Sequence, residues 1–112
     1  MTSASAPPNV LTIAGSDPSG GAGLQGDIKT FSALGTYATN VVTAVIAQNT
    51  QGVQAVHPVP ADVIGEQLDN LLGDVRIEAV KIGMVASETV AATIRDALHR
   101  HRPRWIVLDP VM

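Results

Sequence analysis

The sequence predicts an α/β protein whose mostly parallel sheet is flanked by helices. Short β-branched apolar runs alternate with stretches of helical spacing along the whole chain. The apolar residues are chiefly Ala, Val, Ile and Leu, the types that fill parallel strands and the helices lying on them. Each strand-like run also ends on glycine or on polar residues. With 112 residues, 46% of them hydrophobic, the chain can enclose the core of about one small domain, yet it is short for an enzyme built on an open sheet.

The elements follow in order. Residues 9–15, NVLTIAG, read as a buried strand stopped by glycine. From Gly23 the spacing becomes helical, with Leu24, Ile28, Phe31 and Leu34 on one stripe, and Gly35 stands where a C-terminal stop is expected. Residues 37–49 are rich in β-branched types and predict the second parallel strand. Residues 52–59 predict a short edge strand, because Pro58 cannot donate to a central ladder. A helix over 60–73 carries Val63, Ile64, Leu68, Leu71 and Leu72 on one face and Asp62, Glu66 and Asp69 opposite. Residues 78–84 predict a further strand, and Ser87 caps a helix over 87–100 that Pro103 ends. Residues 104–112 read as a last buried strand, reaching Asp109-Pro110 with no helix after it to cover it. The expectation is therefore the N-terminal part of a longer α/β protein, truncated after that strand.

Composition narrows the function classes. The net charge is −3 with no run of Lys or Arg, so no nucleic-acid or membrane-surface footprint is written here, and small molecules become the expected partners. Zero cysteines exclude a disulfide, a thiolate metal site or a cysteine nucleophile within these residues. Residues 1–9 lack the features of a signal peptide, and no apolar run is long enough to span a bilayer. The reading is a cytoplasmic protein with a flexible tail over 1–9 and one domain over 10–112.

The stretch GSDPSGGAGLQGD, residues 15–27, spells a dinucleotide-binding fingerprint at Gly21, Gly23 and Gly26. Two details oppose that reading. Ser16 to Gly20 separate the strand from the first glycine, and no Asp or Glu occurs between Asp27 and Asp62 to bind a ribose. Nor does a Gly-Lys-Ser/Thr ending write a P-loop. Asp27 falls on the apolar side of its helix, where it either favours the positive helix end or meets a ligand. Gly15, Gln48, Met84 and Asp109 lie at strand exits, the edge where open parallel sheets bind ligands. His57, His99 and His101 read as solvated, and Lys81 carries no assigned role.

Four segments in order, LTIAGSDPSGGAGLQGDIKTFSALG, TAVIAQNTQGV, VKIGM and VLDPVM, closely resemble the N-terminal half of the hydroxymethylpyrimidine/phosphomethylpyrimidine kinases of thiamine biosynthesis. The resemblance implies a ribokinase-like fold. It implies ATP with Mg²⁺ as cofactors, and a pyrimidine substrate phosphorylated first on its hydroxymethyl group and then on the monophosphate. By the same resemblance Gly15, Asp27, Ile46, Gln48 and Met84 would surround the pyrimidine, and Asp109 would stand near phosphate and metal. Many relatives carry glutamate where this sequence has Gln48. Such kinases hold the transferred phosphate on a Gly-Thr-Gly segment that would lie beyond Met112, so the catalytic residues are expected outside this chain, which alone should be inactive. The resemblance leaves open a homo-oligomer, a pyridoxal-type kinase, and a non-catalytic module that binds pyrimidine or another chain.

Overall fold

The computed structural model describes residues 6–109. In chain order its elements are β1 (Asn9–Gly15), α1 (Gly23–Ala33), β2 (Tyr37–Asn49), β3 (Gly52–Pro58), α2 (Ala61–Leu72), β4 (Ala79–Ile82), α3 (Glu88–His101) and β5 (Trp105–Leu108). The five strands form one sheet in the order β3-β2-β1-β4-β5. The pairs β1–β2, β1–β4 and β4–β5 are parallel, and only β2–β3 is antiparallel. The mostly parallel, helix-flanked sheet is the one expected, and the strand ending at Pro58 stands at its edge.

The strand order explains where the helices lie. From central β1 the chain moves through α1 to β2 on one side, then returns through α2 to β4 on the other. Right-handed crossovers in opposite directions put successive helices on opposite faces. Leu11, Ile13, Val41 and Val80 accordingly join Ile64 and Leu68 of α2 and Ile94, Ala97 and Leu98 of α3 in one buried cluster. Thr12 and Lys81 are register partners on the other face, where α1 brings Asp27 to both. β1 thus ends at the point where the chain's direction across the sheet reverses.

Local chemistry sets the helix ends. The Thr36 amide donates to Phe31 and the Gly35 amide to Ser32, a Schellman arrangement that Gly35 permits through its φ of 82°. Ser87 Oγ accepts from the Val90 amide and starts α3 as expected. That helix runs on to His101 and stops on Arg102, whose left-handed φ of 48° precedes Pro103. His101 is not simply solvated, since its Nε2 lies 3.2 Å from Asp69 Oδ1 on α2.

Gln67 of α2 does work for the sheet that its sequence gives no sign of. Its amide accepts from Val42 N and donates to Val42 O, both at 3.0 Å, as an adjoining strand would. β3 begins pairing only at Ala44, so Gln67 completes the ladder of β2 before that point. Gln67→Ala is expected to cost about 1–2 kcal/mol, because two part-buried backbone groups lose partners. Urea unfolding of the variant checks this, and a change below about 0.5 kcal/mol would show that water replaces the amide freely.

Expectations about burial are corrected at α1, α2 and β5: Leu34 and Val63, expected on apolar stripes, are 75% and 39% exposed. β5 was expected to be buried, but Trp105, Ile106, Val107 and Leu108 are 62%, 51%, 57% and 65% exposed. β5 is the outermost strand with β4 as its neighbour, and among the described residues no helix covers its far side. Pro110, Val111 and Met112, which the expected strand included, lie outside the described residues.

Candidate functional site

The glycine-rich segment after β1 is organised around Asp17, which is 2% exposed. Its carboxylate accepts from Ser19 N, Ser19 Oγ, Gly21 N and Ala22 N at 2.9, 2.6, 3.2 and 2.8 Å. The Asp17 amide in turn donates to Gln25 Oε1. Amides that a dinucleotide or P-loop turn would offer to phosphate are therefore occupied by the chain's own anion. The small residues serve to wrap that carboxylate and bring α1 close to β1.

These bonds, that from the Ser19 hydroxyl first, hold the Asp17 carboxyl below its ordinary 3.8 against the opposing effect of burial. A lowered folded value means the stabilisation is complete above the unfolded value and is lost as pH falls through the lower folded one. The stability difference between the native chain and Asp17→Asn is thus expected to be equal at pH 7 and 5 and to shrink below about pH 4. Urea midpoints at three pH values measure it, and a difference that grows on acidification would contradict the assignment.

Beside this loop a cleft of about 360 Å³ opens between the ends of β1 and β4, lined by Ala14, Gly21, Gly23, Asp27, Lys81 and Asp109 among others. Asp27 Oδ1 is 2.6 Å from Lys81 Nζ, and Asp27 Oδ2 accepts from Thr12 Oγ1 at 2.6 Å. Lys81 Nζ is also 3.5 Å from Asp109 Oδ2. The Asp27 and Lys81 side chains are 15% and 26% exposed, whereas Asp109 is 60% exposed. Burial opposes the lysine's charge most strongly, yet the hydrogen bond and charge of Asp27, joined by those of Asp109, outweigh it and raise Lys81 above its ordinary value.

The cleft joins Asp27 and Asp109, which lie far apart in sequence. Gly15 follows the lining residue Ala14 and packs against Ile46, but neither is itself among the lining residues. A Cβ on Gly15 would lie 2.8 Å from Ile46 Cδ1, and one on Gly23, a lining residue, would lie 2.4 Å from the Gly15 carbonyl oxygen. Ser16 Oγ, accepting from Ile46 N, fixes that approach. Gln48 and Met84 are half-buried at the exits of β2 and β4 but are not among the lining residues; Gly83, beside Met84, is. Lys81 and Asp17 were missed as organising residues. A lysine inside an apolar strand and Asp27 on the apolar face of α1 each need a partner, and that shared need was the signal that could have joined them.

A larger groove of about 560 Å³ lies elsewhere, between α3 and β5, with Ile82, Ile94, Leu98, Ile106 and Leu108 in its walls. It follows from the uncovered side of β5. The acids and the lysine converge instead at the strand exits, where the strand order reverses and open α/β sheets bind ligands.

The family described as phosphomethylpyrimidine kinase matches residues 17–112. A hydroxymethylpyrimidine/phosphomethylpyrimidine kinase of Salmonella typhimurium is 54% identical over 104 residues, which are 93% of this chain and 39% of that protein. The chain thus spans well under half the length of this curated relative. The crystal structure of a phosphomethylpyrimidine kinase from Clostridium difficile superposes with a TM-score of 0.89 at 50% identity, covering 94% of this chain and 46% of that one. A pyridoxal kinase of Staphylococcus aureus, solved with AMP-PCP and pyridoxal, gives 0.85 at 38% identity over 96% of this chain and 40% of its own. These matches and the ribokinase-like sheet place the chain in the phosphomethylpyrimidine kinase family.

Proposed function

We propose that this chain, over residues 10–112, forms the pyrimidine-binding part of a kinase that phosphorylates 4-amino-5-hydroxymethyl-2-methylpyrimidine and then its monophosphate, with ATP as donor. The observation that carries this is the cleft at the reversal of strand order, with Asp27 in its wall and Gly15, packed against Ile46, next to its lining residue Ala14, in a chain of this family. Each Asp27 oxygen has one protein partner, so the carboxylate keeps lone pairs for a substrate donor. Gln48 offers both a donor and an acceptor to an aminopyrimidine edge, and Met84 offers an adaptable apolar contact to the ring.

Asp109, exposed and only loosely held by Lys81, fits a Mg²⁺ that takes one carboxylate and draws its other ligands from phosphate and water. Such an ion would neutralise charge on the phosphates. Phosphoryl transfer depends mainly on positioning and charge stabilisation, and the donors that cradle the transferred group are expected outside these residues. This reading places the chain in the cytoplasm. The Staphylococcus aureus structure favours one alternative, a pyridine ring in the same place.

The test joins this chain to the remaining portion of the Salmonella relative and follows phosphate transfer from labelled ATP. The hybrid is expected to phosphorylate the pyrimidine and the 112-residue chain alone to give no turnover. Competition between the pyrimidine and pyridoxal decides the ring. Equal turnover by the short chain would overturn the placement of the catalytic groups, and a folded hybrid that phosphorylates neither ring would overturn the kinase reading.

A further inference from the structure

Among the described residues Lys81 is the cation that reaches both acids of the cleft. It stands mid-strand on β4, opposite Thr12 in register, so its ammonium rises on the same face on which α1 delivers Asp27. Its stem lies over an apolar gap with Val10, Phe31 and Val107. From there the ammonium lies 2.6 Å from Asp27 Oδ1 and 3.5 Å from Asp109 Oδ2. Without it, Asp27 of α1 and Asp109 just after β5 would face one point with no counter-charge among the described residues, and divalent cations bind at points of that kind. With it, an incoming cation meets a fixed positive charge at short range.

We propose that Lys81 is a positioning residue of this site, a built-in counter-ion that holds Asp27 and Asp109 toward one point and keeps divalent metal from settling between them. Asp109 would then be the carboxylate left for a metal accompanying ATP, and Asp27 would stay available to the pyrimidine. The meaning of this arrangement rests on the kinase reading, but its test does not. Lys29, the other lysine of this region, points away and donates to the Gly20 carbonyl, so it does not substitute for Lys81.

The probe is Mn²⁺ alone, titrated by calorimetry into the 112-residue chain and its variants, each checked for cooperative thermal unfolding. Lys81→Met keeps the apolar stem and removes the charge. It is expected to bind Mn²⁺ at least about tenfold more tightly than the native chain, and adding Asp27→Asn should remove the gain. Lys81→Arg, which preserves the charge, should match the native chain. Unchanged Mn²⁺ affinity in folded Lys81→Met, a gain that survives Asp27→Asn, or an equal gain in Lys81→Arg would each overturn the proposal. Should Lys81→Met fail to fold, Lys81→Gln is read by the same titrations with the same outcomes. Tighter Mn²⁺ binding on loss of Lys81, together with a folded native hybrid that phosphorylates neither ring, would defeat the kinase reading and leave the counter-ion standing.

Discussion

Alanine in place of Gly23 is expected to cost about 3 kcal/mol or more, enough to lower the melting temperature by roughly 10 °C or beyond for a domain of this size. Gly23 opens α1 at a φ of 56°, where an L-residue pays about 1–2 kcal/mol. Its added Cβ would also stand 2.4 Å from the Gly15 carbonyl oxygen, a backbone atom with no rotamer to escape through. Either the exit of β1 or the start of α1 must therefore shift, and both border the cleft. Gly21→Ala is the internal control, since a Cβ there meets nothing within 4 Å. It should fall within about 0.5 kcal/mol of the native chain. Thermal unfolding of the two variants decides the matter, and a Gly23→Ala protein as stable as Gly21→Ala would show that the close approach is not required.

The same position shows why the glycine motif misleads. Read as letters, Gly21, Gly23 and Gly26 match a nucleotide fingerprint; in the fold, Gly23 lets α1 start against β1 while Asp17 fills the turn. The residues inserted before the first glycine and the missing downstream acid oppose the dinucleotide, but the identity of the resident anion depended on Ser19, Gly21 and Ala22 folding back onto Asp17. An aspartate two residues before a serine and followed by small residues is a common turn signal, and only packing reveals that it is buried.

Elements whose burial is decided by their own periodicity were legible. The stripes of α2 and α3 predict Ile64, Leu68, Ile94, Ala97 and Leu98 of the buried cluster, though Val63 on the same α2 stripe is exposed, and Ser87 and Gly35 mark helix ends through local hydrogen bonds. What depended on a distant partner was not. β5 has the composition of a buried strand, but exposure is set by what packs on it, and its composition could not say that. Gln67 looks like an ordinary polar position of a helix, and nothing local marks it as the ladder partner of Val42. The sequence places Asp27 on the apolar face of its helix and offers the helix end or a ligand for its charge, not the threonine and lysine that it meets. Thr12 and Lys81 now account for that burial, so burial by itself no longer argues for a ligand, and the argument passes to the lone pairs left free and to the cleft they border.

Asp27 is the residue whose loss should be felt twice. Asp27→Ala leaves the Thr12 hydroxyl, on a fully buried residue, without its acceptor and removes the nearer of the two acids around Lys81. Breaking a fully buried pair costs about 3–5 kcal/mol, but a quarter of Lys81 is open to water and Asp109 remains beside it, so about 2 kcal/mol is expected here. Asp27→Asn can still accept from Lys81 and donate to the Thr12 oxygen, and should cost about half as much. Binding separates the structural role from the functional one. A hydrogen bond to a charged acceptor is worth about 1.5–3 kcal/mol, so pyrimidine affinity should fall about 10- to 100-fold in Asp27→Ala. The loss should be nearly as large in Asp27→Asn, where the fold is better kept but a donor now stands where an acceptor was. Calorimetric titration of the hybrid enzyme with the pyrimidine, at a temperature where both variants remain folded, measures this. Undiminished affinity in either folded variant would remove Asp27 from the substrate site and leave it as the structural partner of Lys81 and Thr12.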